Sequence, residues 1–454
     1  MGSEREEIGS ASVDDSVASS HIDEEIKPRR GNEGKETDLV IIRREAEFLS
    51  LRWEWNELVD RCPVSIYQTF DWQWFWWKHY GGKNSLYIAT FRSRADLIGI
   101  IPMFFETFSI AHKELYRRLR MMGAGVASND NLGLPGEYGP SDYLDAIVTP
   151  GYESSVAEQF STLVSSSDEF FDELEFRDVP RDSVLRTHIF PALERAHLRC
   201  RMVEGEVCPY LTTPGSTSEF MQNLHPNIRH RLRQAKKEFT AHIPFHIETP
   251  TIRTEVTSAF VDLIHLHQCR WNSLGYAGLF SDRRFKRFQN DIVRAFHDRG
   301  WLWLKAVHMG GVRTAVRMGF FFKNRYYDYL SGFDATLPGA NKRPSLALLL
   351  AVIEDAVEHG AAAVDFLRGD EAYKFELSTE CSQNVNISAR SRWKFRQAPY
   401  WIALFGHTIL RLVLGETKLI AIHYQSYGWR TFALKYGKFI WLRLKRKTIK
   451  RESK

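Results

Sequence analysis

The sequence pattern that indicates the fold most clearly spans residues 301–366. Residues 301–333 read WLWLKAVHMGGVRTAVRMGFFFKNRYYDYLSGF, and residues 344–366 read PSLALLLAVIEDAVEHGAAAVDF. Aromatic and β-branched residues dominate the first part, and turn signals divide it into three runs of strand length. The predicted strands are Trp301–His308, Val312–Phe322 and Tyr326–Phe333.

Turn and cap residues mark the ends of these elements. Gly310-Gly311 and Lys323-Asn324-Arg325 are tight hairpin signals, so consecutive strands are expected to be antiparallel. A helix is predicted over Pro344–His359, because proline suits a first helical turn and Gly360 suits the C-cap. The strand Ala363–Phe366 completes a β-β-β-α-β order.

The first half of the chain follows the same order with less regular patterns. Its predicted elements are the strands Leu86–Phe91, Leu97–Phe105, Leu115–Met121 and Leu144–Val148, the helix Glu153–Val164, and the strand Phe171–Phe176. Three helices precede residues 301–366 in the second half: Asn227–Phe239, Arg253–Trp271 and Asp282–His297. An internal duplication explains this repeated order of strands and helices, and it predicts a mixed α/β protein with two similar lobes.

Composition divides the chain into four regions. Residues 1–38 are acidic, lack aromatic residues and are predicted to be disordered. We assign the two lobes to residues 39–200 and 201–395, and a basic, aromatic-rich helical extension to residues 396–454. The tryptophans from Trp53 to Trp77 are expected to pack in the core or between the lobes.

Cysteine usage and the N-terminal sequence bear on the compartment. The five cysteines contain no C-x-x-C pair and are odd in number, which argues against a disulfide framework or a zinc site. The polar N-terminus has no apolar signal segment, and no run of 18 apolar residues occurs. A cytoplasmic location is therefore expected, with no metal in the chemistry.

Charge is distributed unevenly along the chain. From Arg390 to the end there are 16 Lys and Arg against two Glu, a net of +14, so the rest carries 5 − 14 = −9. An acidic main body makes nucleic acid an unexpected partner. Basic and aromatic residues together suit a peripheral contact of residues 396–454 with the inner membrane. The alternative is that these helices pack back onto the lobes.

A series of short motifs carries a family resemblance. They are Tyr67-Gln68-Thr69-Phe70-Asp71-Trp72, Gly99-Ile100-Ile101-Pro102-Met103, His267-Gln268-Cys269-Arg270-Trp271, Tyr329-Leu330-Ser331-Gly332-Phe333-Asp334, and Asp365-Phe366-Leu367-Arg368-Gly369-Asp370-Glu371-Ala372-Tyr373-Lys374. In this order, over roughly residues 40–395, the chain resembles the CelD/BcsL-type acetyltransferases of the GNAT superfamily, which are related to the FemAB peptidyltransferases.

The resemblance implies a fold and an activity. It implies two tandem GNAT-like lobes that share a cleft, with donor binding and catalysis in the second lobe. It also implies transfer of an acyl group, acetyl from acetyl-CoA, to an amino or hydroxyl group. The implied acceptor is a sugar or another cell-envelope or exopolysaccharide precursor.

The donor loop departs from the usual glycine-rich GNAT pattern. The corresponding stretch is Gly339-Ala340-Asn341-Lys342-Arg343-Pro344-Ser345. A helix N-terminus offers free N–H groups to phosphates, and Asn341, Lys342, Arg343 and Ser345 would add charge and hydrogen bonds. The alternative is a solvated helix cap.

Candidate catalytic residues follow the strand that ends at Phe366. Asp370, Glu371, Tyr373 and Lys374 could supply the base, the acid and the oxyanion or phosphate contacts of acyl transfer. The alternative interpretation is a polar, solvated turn.

Three further candidates lie on other elements. Asp334 closes a strand near the donor helix, as a base, an amine anchor or only a turn residue. His267 and Arg270 share one helix face, so His267 is a candidate base and Arg270 a candidate contact for an anionic substrate group.

A basic cluster in the helix from Asn227 offers candidate phosphate contacts, unless it is only a solvated face. Its members are Arg229, Arg231, Arg233, Lys236 and Lys237.

Two other functions stay open at this point. A FemAB-like peptidyltransferase with the same fold would depend on aminoacyl-tRNA, and the acidic main body speaks against it. A non-catalytic, membrane-associated binding protein would use the basic extension for docking.

Overall fold

The protein is described by a computed structural model, which covers residues 37–110, 113–125, 139–166, 171–241, 245–333 and 344–390. The described residues belong to one compact unit of the chain. Nearly all of the acidic segment at residues 1–38, and the basic extension at residues 396–454, lie outside the described residues.

The described part of the first half contains seven strands and five α-helices. The strands are β1 (Asp38–Ile42), β2 (Ser85–Ser93), β3 (Asp96–Ile110), β4 (Lys113–Met121), β5 (Ile147–Val148), β6 (Glu173–Pro180) and β7 (Arg199–Thr212). The helices are α1 (Glu45–Ser50), α2 (Arg52–Arg61), α3 (Phe70–Trp76), α4 (Glu153–Ser166) and α5 (Phe190–Arg195). π-Helical segments occur at Trp77–Gly81 and Leu185–Ile189, and a 3₁₀ turn at Ile66–Gln68.

The described part of the second half contains six strands and six α-helices. The strands are β8 (Phe245–Glu248), β9 (Leu302–Met309), β10 (Val312–Phe322), β11 (Arg325–Phe333), β12 (Ala363–Asp365) and β13 (Glu380–Arg390). The helices are α6 (Thr217–Asn223), α7 (Pro226–Ala241), α8 (Arg253–Ser273), α9 (Arg283–Asp298), α10 (Pro344–Glu358) and α11 (Ala372–Leu377). A 3₁₀ turn at Leu279–Ser281 precedes α9.

The two halves repeat one topology. In the first half β2, β3 and β4 are antiparallel, and β6 pairs with β4 in parallel. In the second half β9, β10 and β11 are antiparallel, and β12 pairs with β11 in parallel. The predicted mixed α/β fold with two similar GNAT-like lobes is therefore confirmed.

The lobes exchange their last strands at the centre of one sheet. The strand order is β1-β2-β3-β4-β6-β13-β7-β12-β11-β10-β9-β8, with β5 attached to β3. Strand β13 of the second half pairs with β6 and β7, and β7 of the first half pairs with β12. The predicted domain boundary at residue 200 falls inside β7, because the sequence does not reveal this exchange.

Helices cover both faces of the second-lobe sheet. Residues of α8 and α9 share a core with Tyr327, whereas residues of α10 share another core with Tyr326 and Val364. Neighbouring residues of a strand point to opposite faces, so α8 and α10 lie on opposite sides of the sheet.

The tryptophan-rich helix α3 packs between the lobes. Trp72 is fully buried, and its ring contacts Phe288, Phe296 and Phe320 of the second lobe. This agrees with the packing role predicted for these tryptophans, with one exception. Trp53 on α2 is 74% exposed and takes no part in the core.

Candidate active site

The site begins where two parallel strands separate. β11 and β12 pair only over Arg325–Tyr327 and Ala363–Asp365. β12 then ends, while β11 continues to Phe333, so the strands diverge and a cavity of about 800 Å³ opens between them. Ligands of α/β folds bind outside the carboxyl ends of such strands.

A tight loop after β12 forms one wall of this cavity. Leu367 has a φ of 60°, a left-handed conformation that is rare for a non-glycine residue, and its N–H donates to Asp365 Oδ1 at 2.8 Å. The buried Lys374 Nζ donates to the carbonyl oxygen of Arg368 at 2.6 Å and lies 3.0 Å from Glu371 Oε2. Lys374 therefore holds the loop in shape. A catalytic role for its ammonium stays a prediction.

Several predicted site residues meet in the cavity wall. They are Arg231, His267, Arg270, Ser345, Glu371, Tyr373 and Lys374. Three others are not part of this wall: the exposed Asp370, together with Arg229 and Arg233 of α7.

Arg229 has a local role, because its guanidinium donates to the carbonyl oxygens of Gln222 and Leu224. The predicted residues Asp334, Asn341, Lys342 and Arg343 lie outside the described residues, as do the side chains of Lys236 and Lys237.

His267 is a neutral imidazole in the cavity wall. It is 3% exposed, and burial lowers the pKa of its imidazole to about 4. Its Nδ1 lies 3.3 Å from Gln268 Oε1, and its ring packs edge-on against Phe280. A neutral imidazole at physiological pH can accept a proton, which a general base requires.

Tyr373 supplies a protonated phenol to the same cavity. It lies in the first turn of α11, and burial raises the pKa of its phenol to about 12. The phenol is therefore a hydrogen-bond donor throughout the physiological pH range. The nearby Arg317 guanidinium opposes this effect of burial on the pKa of Tyr373.

An ion pair that the sequence analysis missed lies beside α10. Arg317 on β10 is 4% exposed and Asp328 on β11 is 7% exposed, and Arg317 Nη1 donates to Asp328 Oδ2. Burial opposes the charged guanidinium, but Asp328 outweighs that effect and raises the pKa of Arg317. Arg317 Nη2 also lies 3.3 Å from Ser345 Oγ in the first turn of α10.

This pair retains unused polar atoms. Within the described part of the chain, Arg317 Nε and Asp328 Oδ1 are buried without a hydrogen-bond partner. Buried polar groups are normally paired, so a polar ligand in the cavity would satisfy them. The sequence signal was a charged residue in the interior of each of two largely apolar neighbouring strands, Arg317 in β10 and Asp328 in β11.

The first lobe completes the cavity. Tyr80, Pro140 and Asp142 line it, and Pro140 accepts a hydrogen bond of 2.8 Å from the phenol of Tyr329. Arg368 Nε lies 2.7 Å from Asp142 Oδ1, which ties the loop after β12 to the first lobe. The site is therefore built jointly by both lobes.

The described residues lack two kinds of feature, a membrane-spanning helix and a metal-binding cluster. No helix there is long and apolar enough to span a membrane. No group of three or more His, Cys, Asp or Glu side chains there is arranged to hold a metal ion.

Comparison with protein families assigns part of the chain. Residues 226–375 match the family model described as acetyltransferase (GNAT) domain. The matched segment runs from α7 into α11 and includes His267, Arg270, Ser345 and Tyr373. The match supports acyl transfer as the class of reaction. The finer resemblance to the CelD/BcsL type stays a prediction.

Solved structures share the fold at low sequence identity. The structure of FemX is 13% identical, with a TM-score of 0.53 over 77% of this chain and 98% of that chain. The C-terminal domain of a putative lysylphosphatidylglycerol synthetase from Agrobacterium fabrum is 11% identical, with a TM-score of 0.47 over 81% and 97%. The similarity to FemX concerns the fold alone. No curated protein matches the sequence.

Proposed function

We propose that this protein transfers an acetyl group from acetyl-CoA to an amino or hydroxyl group of a sugar or another cell-envelope or exopolysaccharide precursor. The observation that carries the proposal is the separation of β11 and β12 within a GNAT domain, with His267 and Tyr373 facing one cavity. A direct transfer needs a base, an acid and a bound thioester, and this cavity has groups for each.

The donor belongs on the α10 side of the sheet. A helix N-terminus can donate its N–H groups to phosphates, and Ser345 and Arg317 lie at the start of α10. Arg317 Nε and Asp328 Oδ1 offer a donor and an acceptor to polar groups of the donor molecule. A cavity of about 800 Å³ has room for a thioester arm and an acceptor together.

The chemistry follows from the protonation states. The acceptor nitrogen or oxygen forms a bond to the thioester carbonyl carbon while His267 accepts its proton. The carbon–sulfur bond then breaks, and the leaving sulfur takes a proton from Tyr373. Both groups start in the required state at neutral pH, because burial keeps His267 neutral and Tyr373 protonated.

The test measures donor binding and turnover separately. Acetyl-CoA should bind the wild-type protein by calorimetry, and release of free thiol should accelerate with extracted envelope sugars. His267→Gln and Tyr373→Phe should each lower kcat by roughly two to four orders of magnitude without weakening donor binding to the same extent. His265→Gln is the matched control, because His265 is exposed on the same helix.

Two results of ligand-binding measurements would contradict the proposed acetyl transfer. Absence of acetyl-CoA binding, together with stabilisation of the protein by aminoacyl-tRNA, would replace it with a tRNA-dependent peptidyltransferase. Absence of both would favour a binding protein.

Residues 396–454 carry a separate proposal about location. Their strongly basic charge and aromatic residues favour contact with an anionic membrane surface. Full-length protein should sediment with anionic vesicles, but not neutral ones, and high salt should release it. Equal sedimentation of a chain cut after Ile440 would show that the last residues do not dock.

A further inference from the structure

Charged side chains in and around the cavity wall are almost all paired. The pairs are Arg317 with Asp328, Arg368 with Asp142, Lys374 with Glu371, Arg231 with Glu376, and Arg284 with Asp282. Arg270 differs from these residues. Among the described residues, no carboxylate oxygen lies within 4.0 Å of its guanidinium.

The guanidinium of Arg270 is half-buried against an aromatic ring. Its guanidinium carbon lies 4.5 Å from the centre of the Phe333 ring, a cation–π contact at the end of β11. Burial lowers the pKa of Arg270, and the positive charge of Arg317 lowers it further, whereas Tyr373 and Glu371 raise it. A guanidinium stays charged under these conditions, and this half-buried cation has no carboxylate of the described residues at ion-pair distance.

The position of Arg270 connects it with the acceptor. Arg270 lies on α8, one helical turn after His267, so both side chains share a face of that helix. α8 and α10 pack on opposite faces of the sheet. The donor phosphates are expected on the face of α10. Tyr80 of the first lobe and Leu279 before α9 line the cavity together with Arg270.

We propose that Arg270 binds a carboxylate or phosphate group of the acceptor, which makes the acceptor an anionic molecule. This inference rests on the proposed acyl transfer. An arginine fork binds two oxygens of such a group at once, and the cation–π contact with Phe333 stabilises the position of the guanidinium. The bound anion would then place a nucleophile of the same molecule within reach of His267.

The experiment separates an acceptor anion from the donor phosphates. The protein is first saturated with CoA, and inorganic phosphate and acetate are then titrated in separate arms by calorimetry or ³¹P and ¹³C NMR. At least one anion should still bind, and Arg270→Gln should weaken that binding tenfold or more while CoA affinity changes less than threefold. Arg270→Lys, which keeps the charge, should retain part of the binding.

The control is Arg287→Gln, an exposed arginine on α9 outside the cavity wall, which should leave anion binding unchanged. Three outcomes would overturn the inference: no anion bound to the CoA-saturated protein, anion binding unaffected by Arg270→Gln, or CoA affinity lost in equal measure. If wild-type protein does not bind CoA, the proposed function fails. The same titration without CoA then still measures whether Arg270 binds an anion.

Discussion

The phenol of Tyr143 donates a hydrogen bond of 2.8 Å to Oδ1 of Asp365, and this contact joins the lobes at the strand end that opens the cavity. Asp365 is fully buried and also accepts from Arg325 Nη1 at 2.6 Å and from the Leu367 N–H at 2.8 Å. One carboxylate thus fixes the first lobe, β11 and the loop that carries Tyr373. We interpret Asp365 as a structural anchor.

Removing the phenol at this anchor should destabilise the protein. Tyr143→Phe deletes a buried hydrogen bond to a carboxylate, for which a loss of about 1.5–3 kcal/mol in the free energy of unfolding is expected. Tyr210→Phe is the matched control, since it deletes a phenol–carboxylate bond to Glu380 at an exposed site and should cost clearly less. Equal midpoints for the two variants in urea unfolding would contradict the anchor role.

The buried His267 should make stability depend on pH. Its folded-state pKa of about 4 lies below the unfolded value of about 6.5, so the unfolded chain binds more protons between those limits. The free energy of unfolding should therefore rise by up to about 3 kcal/mol as pH increases from 4 to 6.5. In His267→Gln this component of the slope should disappear. An unchanged slope in urea unfolding at several pH values would show that His267 is protonated in the fold.

The pair of Arg317 and Asp328 should behave as a unit. Asp328→Leu leaves a buried guanidinium without its partner, which should cost about 3–5 kcal/mol in the free energy of unfolding. The double variant Arg317→Met, Asp328→Leu should recover much of that loss, because no buried charge remains. Donor affinity should nevertheless stay weak in the double variant if Arg317 binds the donor. Recovery of both stability and donor affinity would make the pair purely structural.

Much of the second lobe could be predicted from its sequence. The strands from 301 to 333 are rich in aromatic and β-branched residues, and the hairpins at Gly310-Gly311 and Lys323-Asn324 have the positive φ angles that such turns need. The helix Pro344–Glu358 also agrees with the prediction to within one residue. Local sequence patterns determine these elements, so a single sequence is enough to predict them.

The central strands could not be predicted in the same way. β7 and β13 carry many exposed polar residues and pair with partners more than a hundred residues away in sequence. Their order in the sheet follows from long-range pairing, which local periodicity does not encode. The Arg317–Asp328 pair was missed for a related reason, because a bulge in β10 sets its register.

The exchanged strand β13 should be required for the first lobe to fold. β13 pairs with β6 and β7, and its side chains Val385 and Ile387 are buried in the core of the first lobe. Burial of each such side chain contributes about 1.5–3 kcal/mol, and the lost ladder would leave two open strand edges. A chain that ends at Thr379 should therefore lose protection from proteolysis and from hydrogen exchange in the first lobe, although the deletion lies in the second half. A chain that ends at Arg390 keeps β13 and should retain that protection. If the shorter chain unfolds cooperatively, with a midpoint temperature within a few degrees of that of the longer chain, then the first lobe folds without the exchanged strand.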